Sequence, residues 1–170
     1  MLSPKVQEAL NKQINAELFS EYLYLSMSAY FEAESFKGMA QWLRVQAGEE
    51  HGHAMKIFDF VNNRDGRVTL TQIEAPKIEW KSPLDVFQEA LKHEQKVTAL
   101  INDLSNLALA EKDHASHDFL EWFVKEQVEE ESVARTIVDQ LKLVGDDGTG
   151  LYMIDQQLGQ RTAAPSPAPA

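Results

Sequence analysis

A glutamate in the middle of an apolar stripe is the most unusual chemical feature of this sequence. In the segment FVKEQVEEESVARTIVDQL, Phe123, Glu130 and Ile137 follow one another at seven-residue intervals, which on an α-helix places them on one face. An ionised carboxylate buried there without a partner would cost several kcal/mol. The position therefore needs a proton or a cation to neutralise its charge.

Three other segments repeat this pattern. Each has one glutamate among apolar residues, and the four series are Leu10-Glu17-Tyr24-Phe31, Leu43-Glu50-Ile57, Phe87-Glu94-Ile101-Ala108 and Phe123-Glu130-Ile137-Val144. One such glutamate would usually lie at the edge of the stripe with its head in water. Four of them, with no lysine or arginine in the series, are either protonated, with raised pKa values, or bound to cations. Two divalent cations match four carboxylates in charge, which favours a dinuclear metal site.

A histidine adds a nitrogen ligand to this set of oxygens. His53 lies three residues after Glu50 and hence on the same helical face, and the same spacing joins Gln127 to Glu130. An oxygen-rich ligand set with one imidazole suits Fe(II), Mn(II) or Zn(II). Iron at such a site, if dioxygen can reach it, supports redox chemistry. The remaining histidines fall outside the four series and are expected to be solvated: His51, His93, His114 and His117.

Four long helices are needed to position these residues. Helical patterns run from about Ser3 to Glu34, Lys37 to Arg64, Ser82 to Ala110 and Asp113 to Val144, and a short fifth pattern runs from Leu151 to Leu158. Serine followed by proline opens the first and third patterns, a typical helix start. Short turns join the first helix to the second and the third to the fourth, so both pairs are expected to be antiparallel hairpins.

The segment between the second and third helices is long enough to cross the whole bundle. It reads GRVTLTQIEAPKIEWKS, and its roughly 17 residues span over ~50 Å when extended, against about 42 Å for a helix of about 28 residues. The sequence thus predicts an all-α fold, a four-helix bundle with one long crossover and a short fifth helix. Residues 1–161 form the predicted domain, and residues 162–170 form a Pro/Ala tail that is expected to be disordered.

Composition excludes several classes of function. The chain has 170 residues, a net charge of −11 and no cysteine. The acidic surplus argues against nucleic-acid binding. The lack of cysteine excludes disulfides, thiolate zinc sites and iron–sulfur clusters, and it suits the cytoplasm. No apolar run approaches the length of a membrane span, so neither a membrane protein nor a secreted one is expected.

Taken together, these motifs resemble the ferritin family, most closely the bacterial non-haem ferritins. The resemblance covers residues 1 to about 160 and includes the single glutamates Glu17 and Glu94, the pair Glu50-x-x-His53, the crossover and GLYMID. It implies an iron-storage ferroxidase that oxidises Fe(II) with dioxygen or peroxide and deposits ferric mineral inside a 24-subunit cage. Gln127 stands where bacterioferritins carry glutamate, and Gly52 where they carry the haem-binding methionine, so no haem is expected.

The resemblance also implies a role for each site residue. One iron would be held by Glu17, Glu50 and His53, and the other by Glu94, Glu130 and the bridging Glu50. Gln127 would lie close by, and Tyr24 would donate a hydrogen bond to the centre and could supply an electron. A third iron site would comprise Glu49, Glu126, Glu129 and the shared Glu130. Alternatively, Glu49, Glu126 and Glu129 form only a solvated acidic face.

Three other interpretations compete with this one. A rubrerythrin-like peroxidase with a fixed di-iron or di-manganese cofactor would usually carry a second Glu-x-x-His and often a cysteine-bound iron. A small Dps-like cage would place its iron between subunits and lack the fifth helix. A metal-free helical interaction protein would keep its four buried glutamates protonated or paired.

Overall fold

Five helices make up the fold in the computed structural model, which describes residues 2–163. They are α1 (Pro4–Ala33), α2 (Lys37–Asn63), α3 (Pro83–Ala110), α4 (His114–Val144) and α5 (Gly148–Leu158). The predicted all-α class is confirmed, and the ends of the four long helices agree with the sequence patterns to within about one residue. Most of the predicted tail, residues 164–170, lies outside the described residues. Over residues 2–163, no helix is long and apolar enough to cross a membrane.

Side-chain caps explain where four of the helices begin. In each case an oxygen of the residue before the helix accepts a hydrogen bond from a backbone N–H in the first turn, and the capping residues are Ser3, Ser82, Asp113 and Asp147. The last of these corrects the prediction for α5, which begins at Gly148 rather than Leu151. The glycine-rich segment GDDGTG favours a loop. Because Asp147 caps α5, the last three residues of this segment, 148–150, form the first turn of the helix instead.

The start of α2 is capped by a different helix. Phe36 precedes α2 and makes no side-chain cap, whereas the buried Asp155 of α5 accepts a hydrogen bond from the Met39 backbone N–H at 2.9 Å. Close contact between the two helices depends on Gly38, because a Cβ built there would lie 1.7 Å from the Asp155 carbonyl oxygen. The fifth helix is therefore fixed against the beginning of the second.

The crossover, residues 64–82, follows the length of α1. Three of its carbonyl oxygens accept hydrogen bonds from side chains of α1. Asn11 donates to the carbonyl of Arg67, Asn15 to that of Gln72 and Ser26 to that of Lys77. The crossover therefore runs in the same direction as α1, whereas α2 runs antiparallel to α1. The chain consequently returns to the other end of the bundle before α3 begins, so α2 and α3 run parallel, as the segment's length predicts.

Two apolar clusters fill the bundle, one towards each end. Along α1 the first cluster ends at Ile14 and the second begins at Leu23, and on α2 the corresponding interruption lies between Ala47 and Ile57. The same gap separates Ala90 from Val97 on α3 and Phe123 from Ile137 on α4. A polar layer therefore crosses the middle of the bundle between two apolar ones.

Candidate metal centre

The four glutamates of the sequence pattern lie in this middle layer. Their exposed fractions are 1% for Glu17, 2% for Glu50, 3% for Glu94 and 8% for Glu130. Each long helix contributes one of these glutamates, and each glutamate lies in the gap between the two apolar clusters. The packing that buries the clusters therefore also withdraws the carboxylates from water.

Neutral donors, rather than lysine or arginine, satisfy most of these carboxylate oxygens. Gln13 donates to Glu17 at 2.8 Å, and the single amide nitrogen of Gln46 donates to both Glu50, at 3.0 Å, and Glu130, at 2.8 Å. Since Gln46 joins α2 to α4 in this way, the two carboxylates must lie close together.

Glu94 is held on both of its oxygens. The Tyr24 hydroxyl donates to Oε1, and the Gln127 amide donates to Oε2 at 3.1 Å. The Gln127 amide also lies 3.3 Å from Thr98 Oγ1. Each Glu94 oxygen keeps a second lone pair, so the carboxylate could bind a cation while both donors hold its orientation.

One oxygen of the layer is fully buried without a hydrogen-bond donor. It is Glu17 Oε2, which accepts no hydrogen bond from an amide, hydroxyl or imidazole of residues 2–163. Ligand atoms of Glu17, Glu50 and His53 lie within 4.8 Å of one another, and His53 Nδ1 is 3.3 Å from Glu50 Oε2. A buried acceptor without a donor beside two further ligands is what a cation site requires.

A second group of possible ligands shares His53. Its ligand atoms and those of Glu126 and Glu130 also lie within 4.8 Å of one another. Glu126 is half-buried, whereas Glu129 is exposed on α4, and Glu49 is half-buried and paired with Arg161. In residues 2–163, neither group of ligand atoms includes Glu94, Glu49 or Glu129.

Burial raises the pKa of every carboxyl in the layer. It raises the pKa of Glu17 to about 8, with a further contribution from Glu50, and that of Glu130 to about 7, with a contribution from Glu94. Burial and the neighbouring carboxylates raise the pKa of Glu50 well above its usual value. Burial also raises the pKa of Glu94, although hydrogen bonds from Tyr24 and Gln127 oppose that shift. Without a cation the layer therefore retains protons near neutral pH, and a cation would displace them.

Aromatic side chains enclose the imidazole of His53. Its ring lies edge-on to Trp122, at 5.4 Å between centroids, and to Phe123, at 6.0 Å. Lys56 places its ammonium 3.7 Å from the centre of the Trp122 ring, which is itself partly exposed. Burial likewise raises the pKa of Tyr24, so its phenol keeps its proton and remains a hydrogen-bond donor.

The prediction that four histidines are solvated is wrong for two of them. His93 Nε2 lies 2.8 Å from Ser20 Oγ, and the ring packs edge-on to Tyr24. Burial lowers the pKa of His93 to about 4. His117 is half-buried and bonds to Ser105 at 3.1 Å, while His51 and His114 are exposed. Positions beside the seven-residue series still face a neighbouring helix, which explains the error.

Sequence reasoning also missed three polar partners. Gln13 and Gln46 each lie four residues before a buried glutamate, a spacing that brings side chains together on a helix and could have revealed them. Arg161 gave no such signal, because it reaches Glu49 from beyond the end of α5.

Comparison with known proteins agrees with this architecture. The sequence model of the family described as the ferritin-like domain matches residues 7–144 of this chain. The bacterial non-heme ferritin of Bacteroides fragilis is 48% identical over 161 residues, covering 95% of this chain and 100% of the relative. That of Staphylococcus aureus is 42% identical over 162 residues, covering 95% and 98%.

Solved structures agree as well. An Archaeoglobus fulgidus ferritin engineered into a closed form is 49% identical and superposes with a TM-score of 0.96, over 96% of this chain and 100% of the other. The open-pore ferritin of the same archaeon gives a TM-score of 0.94 at 50% identity, over 95% of this chain and 100% of the other. A five-helix bundle with a buried carboxylate layer, matched along nearly its whole length by these proteins, is a member of the ferritin family.

Proposed function

We propose that this iron-storage protein oxidises Fe(II) at a di-iron ferroxidase centre inside each bundle. The observation that carries the proposal is the buried, unpartnered Oε2 of Glu17 beside Glu50 and His53. No arginine or lysine hydrogen-bonds to these three residues within residues 2–163, so a divalent cation is the counter-charge that they fit.

The side chains divide into two sets of ligands. The first iron would be bound by Glu17, Glu50 and His53, and the second by Glu94 and Glu130, with Glu50 bridging. Gln127, at 3.1 Å from Glu94, would lie next to the second iron, and the Tyr24 hydroxyl would orient Glu94 from the other side. Because these carboxyls have raised pKa values, the binding of Fe(II) would release protons.

The redox balance requires iron in pairs. Each Fe(II) gives up one electron, so two together reduce dioxygen to hydrogen peroxide, or hydrogen peroxide to water. His53 is the single imidazole in the ligand set, and such an oxygen-rich site holds iron less permanently than one with more nitrogen ligands. This suits iron as a substrate that passes through the centre. Glu49, Glu126, Glu129 and the shared Glu130 would form a third site on the way inward.

We further propose that the chain assembles as a homo-oligomeric 24-subunit cage without haem, located in the cytoplasm. Exposed apolar side chains on α1, the crossover and α5 support assembly, since such groups are commonly buried between subunits, and they include Tyr22, Leu70, Ile78, Tyr152 and Met153. At Gly52, the expected position of a haem ligand, α2 carries no side chain that could bind one.

Variants of two ligands test the ferroxidase proposal. In Glu50→Ala and His53→Ala, we expect the initial rate of aerobic Fe(II) oxidation, followed by the absorbance of Fe(III), to fall by about tenfold or more. His51→Ala is the matched control, because His51 is adjacent to Glu50 but exposed. Oxidation at the wild-type rate in both ligand variants would exclude a ferroxidase centre here.

The size of the particle, measured before and after iron loading, tests the cage. A 24-subunit cage that fills with mineral gains mass on loading, while its outer diameter stays the same.

A further inference from the structure

Arg161 reaches from the end of α5 to the edge of the metal centre. Its Nη2 lies 2.5 Å from Glu49 Oε2, and its Nη1 lies 2.8 Å from Gln46 Oε1. The guanidinium carbon is 4.3 Å from the centre of the Trp42 ring. A planar guanidinium that bonds two acceptors and stacks on an aromatic ring is held in one orientation.

Through Gln46 this contact reaches two proposed iron ligands. Arg161 bonds the amide oxygen of Gln46, and the amide nitrogen at the opposite end of the same group donates to Glu50 and Glu130. The guanidinium therefore fixes which end of the amide faces the carboxylates. Gln46 is itself only 1% exposed, so its orientation is determined by these partners.

The same guanidinium supplies the positive charge at Glu49. Both side chains of this ion pair are mostly buried, with exposed fractions of 24% for Arg161 and 29% for Glu49. A metal ion that binds Glu49 has to displace the guanidinium from Oε2 or share the carboxylate with it, and either event costs binding free energy.

We propose that Arg161 competes with metal ions for Glu49 and so weakens the third, inner cation site. The inference rests on the proposed function, because Glu49 is a ligand only if that third site exists. Competition from within the chain keeps the inner site empty until the two stronger sites are filled. It also allows iron that reaches Glu49 to leave it again, which suits a transit position.

Titration of the assembled, metal-free protein with Zn²⁺, which is redox-inert, tests this proposal by calorimetry. For Arg161→Gln we expect the weakest resolved Zn²⁺ site to tighten by about tenfold, while the tighter sites change little. Arg161→Lys keeps a charge but loses the planar fork, and we expect a smaller tightening. In a Glu49→Gln background, Arg161→Gln is expected to have no effect on that site.

Several outcomes would overturn the inference. These are an unchanged or weaker inner site in both arginine variants, an equal change at every site, or the same tightening without Glu49. A purely structural role for Arg161 would lower the melting temperature without improving Zn²⁺ affinity. If Glu50→Ala and His53→Ala still slow Fe(II) oxidation as expected, such results overturn only the role of Arg161 and leave the ferroxidase proposal standing.

Discussion

Glu17 combines a satisfied oxygen with an unsatisfied one. Gln13 donates to its Oε1, while the buried Oε2 has no hydrogen-bond partner in the part of the chain that the structure describes. Burial, reinforced by Glu50, raises the pKa of this carboxyl to about 8. At neutral pH the protein therefore keeps a proton on Glu17, and the metal binding proposed for this residue would exchange that proton for a cation.

This raised pKa predicts how stability depends on pH in the metal-free protein. The unfolded chain releases the Glu17 proton above about pH 4.5, whereas the folded protein retains it up to about pH 8. The free energy of unfolding therefore falls as the pH rises through this window, by at most about 1.4 kcal/mol per pH unit for one group. Glu17→Gln removes this contribution, so its melting temperature should decline less between pH 5 and pH 8. Glu121→Gln, at an exposed position on α4, is the control. Parallel curves for wild type and Glu17→Gln would contradict the assigned shift.

The sequence allowed the burial of four glutamates to be predicted, but not all of their hydrogen-bond partners. A glutamate among apolar residues at seven-residue spacing is a local conflict, and Glu17, Glu50, Glu94 and Glu130 are all buried. His93 was misjudged because its environment depends on how α1 and α3 pack. Arg161 lies more than a hundred residues from Glu49 along the chain, so only the folded bundle relates them.

Among the helices, α5 has a role that exceeds its length. It packs on both α2 and α4, and Asp155 supplies the cap that α2 lacks. The contact also sets the position of Arg161, which follows α5 by a few residues. Helix patterns in the sequence predicted that α5 exists, but a cap donated by a distant helix has no signature in the local sequence.

Loss of this cap is expected to destabilise the subunit. Asp155→Ala leaves the Met39 N–H without an acceptor in a buried position, and we expect a cost of about 1–2 kcal/mol. Asp155→Asn keeps an acceptor oxygen and should lose less. Asp147→Ala, which removes the exposed cap of α5 itself, is the control for general helix fraying. Thermal melting of the metal-free protein measures the difference, and equal melting temperatures for wild type and Asp155→Ala would contradict the assigned cap.

Across the whole molecule, two apolar clusters enclose one polar layer. The clusters supply the burial that holds the bundle together, and the layer interrupts them at the same level in every long helix. The length of the crossover and the two short turns were sufficient to predict this topology, because they restrict how four helices can be connected. The distances within the layer depend on side-chain packing and could not be predicted in this way.

Cations should stabilise the molecule as a whole. Zn²⁺ or anaerobic Fe(II) that binds the folded but not the unfolded chain increases the free energy of unfolding and so raises the melting temperature. At a free ion concentration one hundred times the dissociation constant, the increase in unfolding free energy is about 2.7 kcal/mol per site. The increase should be larger at pH 8 than at pH 6, because binding must displace the protons of Glu17 and Glu130. A chelator should reverse it. A melting temperature indifferent to these ions would argue against a buried metal site.

Three glutamines, at positions 13, 46 and 127, donate to the four acids of the layer. Each acid therefore has a hydrogen-bond donor that belongs to the chain itself, so folding of the bundle does not depend on a cation. Synthesis of the protein can then precede any supply of metal.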